Sequence, residues 1–212
     1  MTASGRFITV EGGEGVGKSS NIEFLTSLLR DAGIDVICTR EPGGTALAEQ
    51  IRGILLSHGD EPVPDVAETL LFFAARKVNV DNLIKPALAK GQWVICDRFT
   101  DATRAYQGAG RGLDAAMIDR LADWVQEGLE PDLTLLLDAP VAVGQARASG
   151  RSAPDRMESE AEAFHERVRE AYLTLAEKHP DRFRVIDAAL DLEHVRSQIR
   201  QVIEPFINDA SH

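Results

Sequence analysis

The chain has 212 residues and a formal net charge of −11, and 44% of its residues are apolar. This length suits one domain with a sizeable core. The acidic balance argues against a general nucleic-acid binder, because such a protein needs a basic face to neutralise phosphates. It leaves room for a small phosphorylated ligand, since a few arginines in one cleft suffice to bind it.

The chain contains no apolar run long enough to cross a bilayer, and residues 1–6 are too short and polar for a signal peptide. We therefore predict a cytoplasmic protein with no membrane partner and no nucleic-acid partner. Cys38 and Cys96 each end an apolar run and have no CxxC partner. They are expected to be small core residues rather than metal ligands.

Short, mostly apolar segments predict five strands, at residues 6–11, 35–39, 92–97, 133–138 and 183–187. Nearly continuous apolar character is typical of strands buried on both faces of a parallel sheet. Apolar stripes at helical spacing separate these segments, one of them formed by Met117, Ile118, Leu121, Trp124 and Val125. Alternating strands and helices predict one α/β domain over residues 1–212, with a five-stranded parallel sheet and helices on both faces.

Residues 12–19, GGEGVGKS, fit the pattern GxxxxGK[ST] directly after the first predicted strand. The glycines let backbone N–H groups surround phosphate oxygens, and the start of a helix favours the anion. Lys18 is expected to reach the β- and γ-phosphates, and Ser19 to place its hydroxyl on Mg²⁺. The motif predicts a P-loop NTPase fold that binds ATP or GTP through Gly12, Gly13, Glu14, Gly15, Val16, Gly17, Lys18, Ser19 and Ser20. By itself it does not choose between a kinase, an ATPase and a switch GTPase.

Polar clusters follow the second and third predicted strands, at residues 40–44, 97–98 and 103–112. Ligands of open α/β sheets bind beyond the carboxyl ends of the strands, so these clusters are candidates for an acceptor site. Asp97 ends an apolar strand, as a Walker B carboxylate does, and would hold Mg²⁺ through water. Arg98 has the chemistry for bidentate phosphate binding. The alternative for any one of these residues is a surface ion pair or a helix cap.

Residues 65–77 predict a helix with two distinct faces. Glu68, Phe72 and Arg76 share one face, on which Phe72 would stack on a nucleobase while Arg76 bonds a base carbonyl. The alternative is a partly buried phenylalanine beside a solvated arginine, and periodicity alone favours that alternative. The other face is apolar and is expected to be core: Val66, Leu70 and Phe73.

A polar segment at about residues 148–160 follows the fourth predicted strand and predicts a short lid. Arg147, Arg151 and Arg156 lie in or beside it. Arginines on a closing loop can stabilise the charge of a transferred phosphoryl group. The alternative is a solvated charged loop.

Five motifs resemble those of the bacterial thymidylate kinase family, and the similarity runs nearly end to end. They are EGGEGVGKS, TREPGG, LLFFAAR, the triplet at residues 97–99 and AYQGAGRG, among which TREPGG and AYQG are more diagnostic than the P-loop. The resemblance implies a kinase that transfers the γ-phosphoryl group of ATP to dTMP, giving dTDP and ADP with Mg²⁺. It also implies a homodimer formed largely through helix packing. Phe99 departs from the family, in which this position is often Tyr or His.

The resemblance also implies roles for single residues at the acceptor base and sugar. Phe72 would stack on thymine and Arg76 would bond its O4 atom. Thr103 and Gln107 would contact the base, and Tyr106 would line the sugar.

Further roles concern the phosphates and the metal. Arg98 would bind the acceptor phosphate with Arg52 and Glu41 beside it, and Glu14 would lie near the sugar 3′-hydroxyl and the metal. Family members without a basic residue at the variable P-loop positions usually carry catalytic basic residues in the lid, as Arg151 and Arg156 would be here. The predicted catalytic residues are therefore Lys18, Arg98, Arg151, Arg156 and Glu14.

Two other functions remain open at this point. A kinase of a different nucleotide or nucleoside would share the P-loop and the lid. A nucleotide-dependent binding switch would have no small acceptor and would show slow hydrolysis that no nucleoside monophosphate changes.

Overall fold

The computed structural model of the chain describes residues 5–59, 61–149 and 155–210. Its centre is a five-stranded sheet in the order β2-β3-β1-β4-β5, in which every neighbouring pair is parallel. The strands are β1 (Phe7–Gly12), β2 (Val36–Arg40), β3 (Trp93–Asp97), β4 (Leu133–Asp138) and β5 (Phe183–Asp187). The predicted fold class is confirmed, and all the predicted strands are present to within a residue of their predicted ends.

The helices α1 to α9 alternate with these strands. In chain order they are α1 (Lys18–Asp31), α2 (Ala46–Leu56), α3 (Asp65–Asn79), α4 (Lys85–Ala89), α5 (Thr100–Thr103), α6 (Ala115–Gln126), α7 (Val141–Ala148), α8 (Glu162–Lys178) and α9 (Leu192–Ala210). Two π-helical segments interrupt this series, Val80–Ile84 between α3 and α4 and Arg104–Gly110 after α5. Within the described residues, no helix is both long and apolar enough to span a membrane.

Strand register brings the carboxyl ends of the three strands on the β2 side to one edge of the sheet. Asp97 of β3 lies level with Val10 of β1 and with Arg40 of β2. The loop after β1 therefore opens beside the segments that follow β2 and β3. A buried apolar cluster that includes Ile8 of β1, Leu25 of α1 and Ile199 of α9 packs these helices against the sheet.

Some side chains predicted to be core are exposed, and the predictions for them were wrong. Val66 and Leu70 of α3 are 48% and 51% exposed, whereas Phe73 of the same predicted face is buried. Trp124 belongs to the predicted apolar stripe of α6, for which no core position was predicted, and it is 78% exposed. Cys38 is also exposed, on the edge strand β2. The outer surfaces of α3 and α6 have no covering element among the described residues of this chain.

Candidate active site

The P-loop connects β1 directly to α1, in the order that the motif requires. Gly15 has a φ of 68°, a left-handed conformation that L side chains rarely adopt. A Cβ atom at this position would also collide with the carbonyl oxygen of Gly144 in α7. Glycine is therefore required there by both conformation and space, and the loop can wrap closely around a phosphate.

The Lys18 ammonium group lies inside the P-loop. Its Nζ atom donates to the carbonyl oxygens of Gly13 at 2.7 Å and Gly12 at 3.3 Å. Burial lowers the pKa of Lys18, and the Arg98 charge adds to that effect, while the Glu14 and Asp97 carboxylates oppose it. The loop carbonyls thus hold the ammonium group at the mouth of the cleft where a phosphate would lie.

One cleft joins the P-loop to the segments after β2 and β3. It encloses about 270 Å³. The following predicted site residues line it together: Glu14, Gly15, Gly17, Lys18, Ser19, Glu41, Arg52, Phe72, Arg76, Asp97, Arg98, Thr103, Tyr106 and Gln107. Gly12, Gly13 and Val16 border a smaller pocket behind the loop, and Ser20 is an exposed residue of α1.

Arg98 projects into this cleft from a left-handed turn, with a φ of 67°. Its Nη2 atom pairs with Glu14 Oε1 at 2.5 Å, and its Nη1 atom donates to the Gly12 carbonyl oxygen at 2.9 Å. Burial would raise the pKa of Glu14, but the charges of Arg98 and Lys18 dominate and lower it to about 2. Glu14 is therefore a carboxylate near neutral pH and holds Arg98 next to the P-loop.

A buried carboxylate that sequence reasoning missed supports this turn. Glu11 is fully buried and accepts hydrogen bonds from the Phe99 backbone N–H at 2.7 Å and the Tyr172 hydroxyl at 2.7 Å. Burial raises the pKa of Glu11 to about 7, and the nearby Asp101 charge acts in the same direction. The sequence did carry a signal, since an ionisable residue within the apolar strand FITVEG needs a buried partner.

Arg76 is 1% exposed and fixed by several acceptors, which excludes the interpretation as a solvated arginine. Its Nε atom pairs with Glu41 Oε2 at 2.6 Å, and its Nη2 atom donates to the Phe99 carbonyl oxygen at 3.1 Å and to Thr103 Oγ1 at 2.9 Å. Its Nη1 atom is buried and has no hydrogen-bond partner among the described residues. Because an orphaned buried donor is unfavourable, this atom marks a place for a ligand acceptor.

The end of β2 provides the support for Arg76 and a second cation. Besides Arg76, the buried Glu41 carboxylate accepts a hydrogen bond from Asn79 Nδ2 at 3.3 Å. Burial raises the pKa of Glu41, and the Arg76 charge opposes that effect. Arg52 reaches the cleft from α2, and its Nη1 atom donates to the Pro42 carbonyl oxygen at 2.9 Å. Glu41 therefore positions Arg76, while Arg52 presents its remaining donors to the cleft.

Two consecutive side chains of the π-helical segment Arg104–Gly110 line the cleft. Tyr106 donates from its hydroxyl to Glu14 Oε1 at 2.9 Å, and Gln107 donates from Nε2 to Glu68 Oε1 at 2.9 Å. Glu68 was not among the predicted site residues, although the predicted face that it shares with Phe72 and Arg76 indicated it.

The residues near the P-loop have the oxygen chemistry that Mg²⁺ prefers. Asp97 Oδ1 is buried without a hydrogen-bond partner among the described residues, and Ser19 and Glu14 line the same cleft. The described part of the chain has no group of three or more His, Cys, Asp or Glu residues that could hold a metal alone. Mg²⁺ usually takes few protein ligands and completes its shell with phosphate oxygens and water, so the chemistry of Asp97, Ser19 and Glu14 suits it.

The predicted lid arginines lie at different places. Arg147 donates from Nη1 to the Ala188 carbonyl oxygen at 2.6 Å, away from the cleft. Arg151 lies outside the described residues. Arg156 pairs through Nη1 with Glu68 Oε2 at 2.7 Å and donates from Nε to the Leu55 carbonyl oxygen at 3.0 Å, behind the cleft wall. The structure therefore does not bring Arg156 to the phosphate side of the cleft.

The cleft has two halves, a P-loop at the end of the first strand and an arginine-lined half beside it. Together they define the class of protein, a P-loop phosphotransferase. The family model described as Thymidylate kinase matches residues 10–199. The chain belongs to the thymidylate kinase family.

Curated relatives and a solved structure agree with this assignment. The chain is 54% identical over 201 residues to the thymidylate kinase of Alcanivorax borkumensis, covering 95% of this chain and 97% of that one. It is 55% identical over 203 residues to that of Methylococcus capsulatus, covering 96% and 97%. The crystal structure of thymidylate kinase from Ehrlichia chaffeensis is 34% identical and superposes with a TM-score of 0.76, over 94% of this chain and 99% of that one.

Proposed function

We propose that the cleft described above performs the reaction of the thymidylate kinase family, which transfers the γ-phosphoryl group of ATP to dTMP and gives dTDP and ADP. The observation that carries this proposal is the combination of two binding halves in one cleft of about 270 Å³. One half is the P-loop with Lys18. The other half has a phenylalanine, a buried arginine with a free donor and a second arginine for phosphate.

The donor half acts by position and charge. Backbone N–H groups of residues 12–19 surround the ATP phosphates, and Lys18 neutralises charge at the β- and γ-phosphates. Mg²⁺, when bound near Ser19 and Asp97, supplies further positive charge against the phosphate oxygens. Glu14 keeps its negative charge at neutral pH, because Arg98 and Lys18 hold its pKa at about 2. It therefore faces the metal region and the acceptor sugar as a fixed acceptor.

The acceptor half recognises phosphate and base separately. Arg98 binds the dTMP phosphate, with Arg52 beside it, so that two anions approach each other with their repulsion screened. The thymine ring lies on Phe72, and the free Nη1 donor of Arg76 bonds its O4 atom. The acceptor phosphate oxygen is already anionic, so the reaction needs no general base.

The contact between the lid and the transferred phosphoryl group stays a prediction for both lid arginines. Arg156 would first have to leave Glu68 Oε2 and the Leu55 carbonyl oxygen. Arg151 lies outside the described residues.

A panel of nucleoside monophosphates tests the substrate assignment. Purified protein with ATP and Mg²⁺ is expected to phosphorylate dTMP with a higher kcat/KM than dUMP, dCMP, dAMP or dGMP, with ADP formation measured by a coupled assay. Preference for a different monophosphate would refute the acceptor assignment. Slow ATP hydrolysis that no monophosphate changes would instead support a nucleotide-dependent switch.

We also propose that two copies of the chain associate through α2, α3 and α6. These helices pack on one another, and they carry most of the exposed large apolar side chains found in the described residues: Leu47, Ile54, Val66, Leu70 and Trp124. Apolar clusters of this kind are unusual on a monomer and are typical of the centre of a protein–protein interface. A second copy would remove them from water.

Leu70→Glu is expected to convert the dimer to a monomer, because it would bury a charge in the interface. Size-exclusion chromatography with light scattering measures the mass directly. Val185→Glu is the matched control, since Val185 is also 49% exposed but lies on the edge strand β5. A dimeric Leu70→Glu variant, or a monomeric unmodified protein, would contradict the proposal.

A further inference from the structure

We propose that Glu68 is a specificity-determining positioning residue, which turns the side-chain amide of Gln107 so that its carbonyl oxygen faces the acceptor base. The inference rests on the proposed function, since it assigns part of the choice of base to a side chain that does not line the cleft. Glu68 is fully buried and lies on the inner face of α3. Its four hydrogen-bonding contacts come from Gln107, Arg111 and Arg156.

The orientation of the Gln107 amide follows from the chemistry of its neighbour. A glutamine side chain offers a carbonyl acceptor at one end and an NH₂ donor at the other, and either end can face a given partner. An ionised carboxylate accepts hydrogen bonds and donates none. The Gln107 amide must therefore present its NH₂ group to Glu68 Oε1, at 2.9 Å, which leaves the carbonyl oxygen as the group that remains for the cleft.

Two arginines face the other carboxylate oxygen of Glu68. Arg156 Nη1 lies 2.7 Å from Glu68 Oε2, and Arg111 Nη2 lies 3.3 Å from the same atom. Arginine side chains only donate, so the side of Glu68 that faces them must accept. An amide side chain at position 68 would have to turn its carbonyl oxygen toward these arginines.

Gln107 and Arg76 both line the cleft, and Thr103 connects them. Arg76 Nη2 donates to Thr103 Oγ1 at 2.9 Å, and Thr103 precedes Gln107 by one helical turn. With the ring on Phe72, these groups face neighbouring positions of a pyrimidine edge, one donor and one acceptor. Thymine and uracil present O4 and N3–H there, which match. Cytosine presents an amino group and a bare N3, which clash on both counts.

Glu68→Gln tests the inference, because it should reverse the Gln107 amide. The new amide is expected to place its carbonyl oxygen toward Arg156 Nη1 and Arg111 Nη2, the closer arginine contacts. Its NH₂ group then faces Gln107, and the longer contact from Arg111 Nε is lost. Gln107 would then turn its carbonyl toward residue 68 and its NH₂ group toward the base, where thymine N3–H is also a donor. The expected result is a fall of about tenfold or more in kcat/KM for dTMP and in the ratio of kcat/KM for dTMP to that for dCMP.

Two further variants separate this role from a merely structural one. Asp65→Asn removes a carboxylate from the same helix that contacts Arg111 at 3.6 Å but not Gln107, so its dTMP to dCMP ratio should equal that of the unmodified protein. Gln107→Met removes the amide, so its ratio should fall, and adding Glu68→Gln to it should lower the ratio no further. A structural defect would instead lower kcat/KM for both substrates and leave the ratio unchanged.

Each outcome decides a separate question. A dTMP to dCMP ratio in Glu68→Gln that equals that of the unmodified protein overturns the inference. So does a double variant whose ratio falls as far below that of Gln107→Met as Glu68→Gln falls below that of the unmodified protein. If Glu68→Gln does not fold, an unchanged ratio in Gln107→Met alone overturns it. If the unmodified protein fails to phosphorylate dTMP, the proposed function fails first, and that result is visible before any variant is made.

Discussion

Replacing Lys18 with alanine is expected to lower kcat by at least about a thousandfold, because the variant loses a buried cation at the transferred phosphoryl group. The Lys18 Nζ atom lies within the P-loop and is already held by loop carbonyls, so no large rearrangement is needed for it to act. Steady-state kinetics with saturating ATP, dTMP and Mg²⁺ measure the effect. Stabilisation of charge that develops in the transition state predicts a larger change in kcat than in the KM for dTMP.

Lys90→Ala is the control for this variant. Lys90 is exposed at the end of α4 and lies far along the chain from the P-loop, so its loss should leave kcat unchanged. Thermal unfolding of both variants tests whether the loop itself has collapsed. If Lys18→Ala folds normally and keeps a kcat within tenfold of the unmodified protein, Lys18 does not have the proposed role.

Replacing Arg98 with methionine is expected to lower kcat/KM for dTMP by about a thousandfold, because it removes the bidentate donor proposed for the acceptor phosphate. The KM for ATP should change little, since the P-loop amides and Lys18 remain. Arg98→Lys keeps the charge but not the fork of donors, and it should recover only part of the loss. Kinetics at varied dTMP and fixed saturating ATP measure these differences.

The removal of Arg98 also takes away the partner of Glu14 at 2.5 Å, so folding must be checked by thermal unfolding. Arg30→Met is the surface control, because Arg30 is an exposed residue in the last turn of α1. A larger effect on the KM for ATP than on that for dTMP would show that Arg98 belongs to the donor half instead.

The sequence was sufficient for the sheet, the P-loop and most of the cleft, for physical reasons that differ between them. Buried parallel strands are nearly continuous apolar runs, and β4 and β5 have their predicted ends. The P-loop carries its chemistry in a contiguous motif. Most of the residues predicted to bind the acceptor come from segments that follow strands, where the topology alone brings them together.

The supporting carboxylates could not be predicted in the same way, because their partners are distant in the chain. Glu11 contacts the turn after β3, and Glu68 contacts the π-helical segment and residue 156. Periodicity identifies a helix face but not the element that covers it, which is also why Val66 and Leu70 were wrongly placed in the core. The π-helical turn at Arg104–Gly110 left no periodic signal in the sequence.

Three side chains proposed to bind the acceptor are each paired with a carboxylate, which bears on how variants of this enzyme should be interpreted. Arg98 is fixed by Glu14, Arg76 by Glu41 and Gln107 by Glu68. In a survey of random substitutions, changes at the buried members Glu41 and Glu68 would ordinarily be classed as losses of folding. Under the arrangement seen here, some of them would yield folded enzymes with altered substrate preference. Measuring abundance and activity together would separate these classes, and Glu68→Gln is the first case to try.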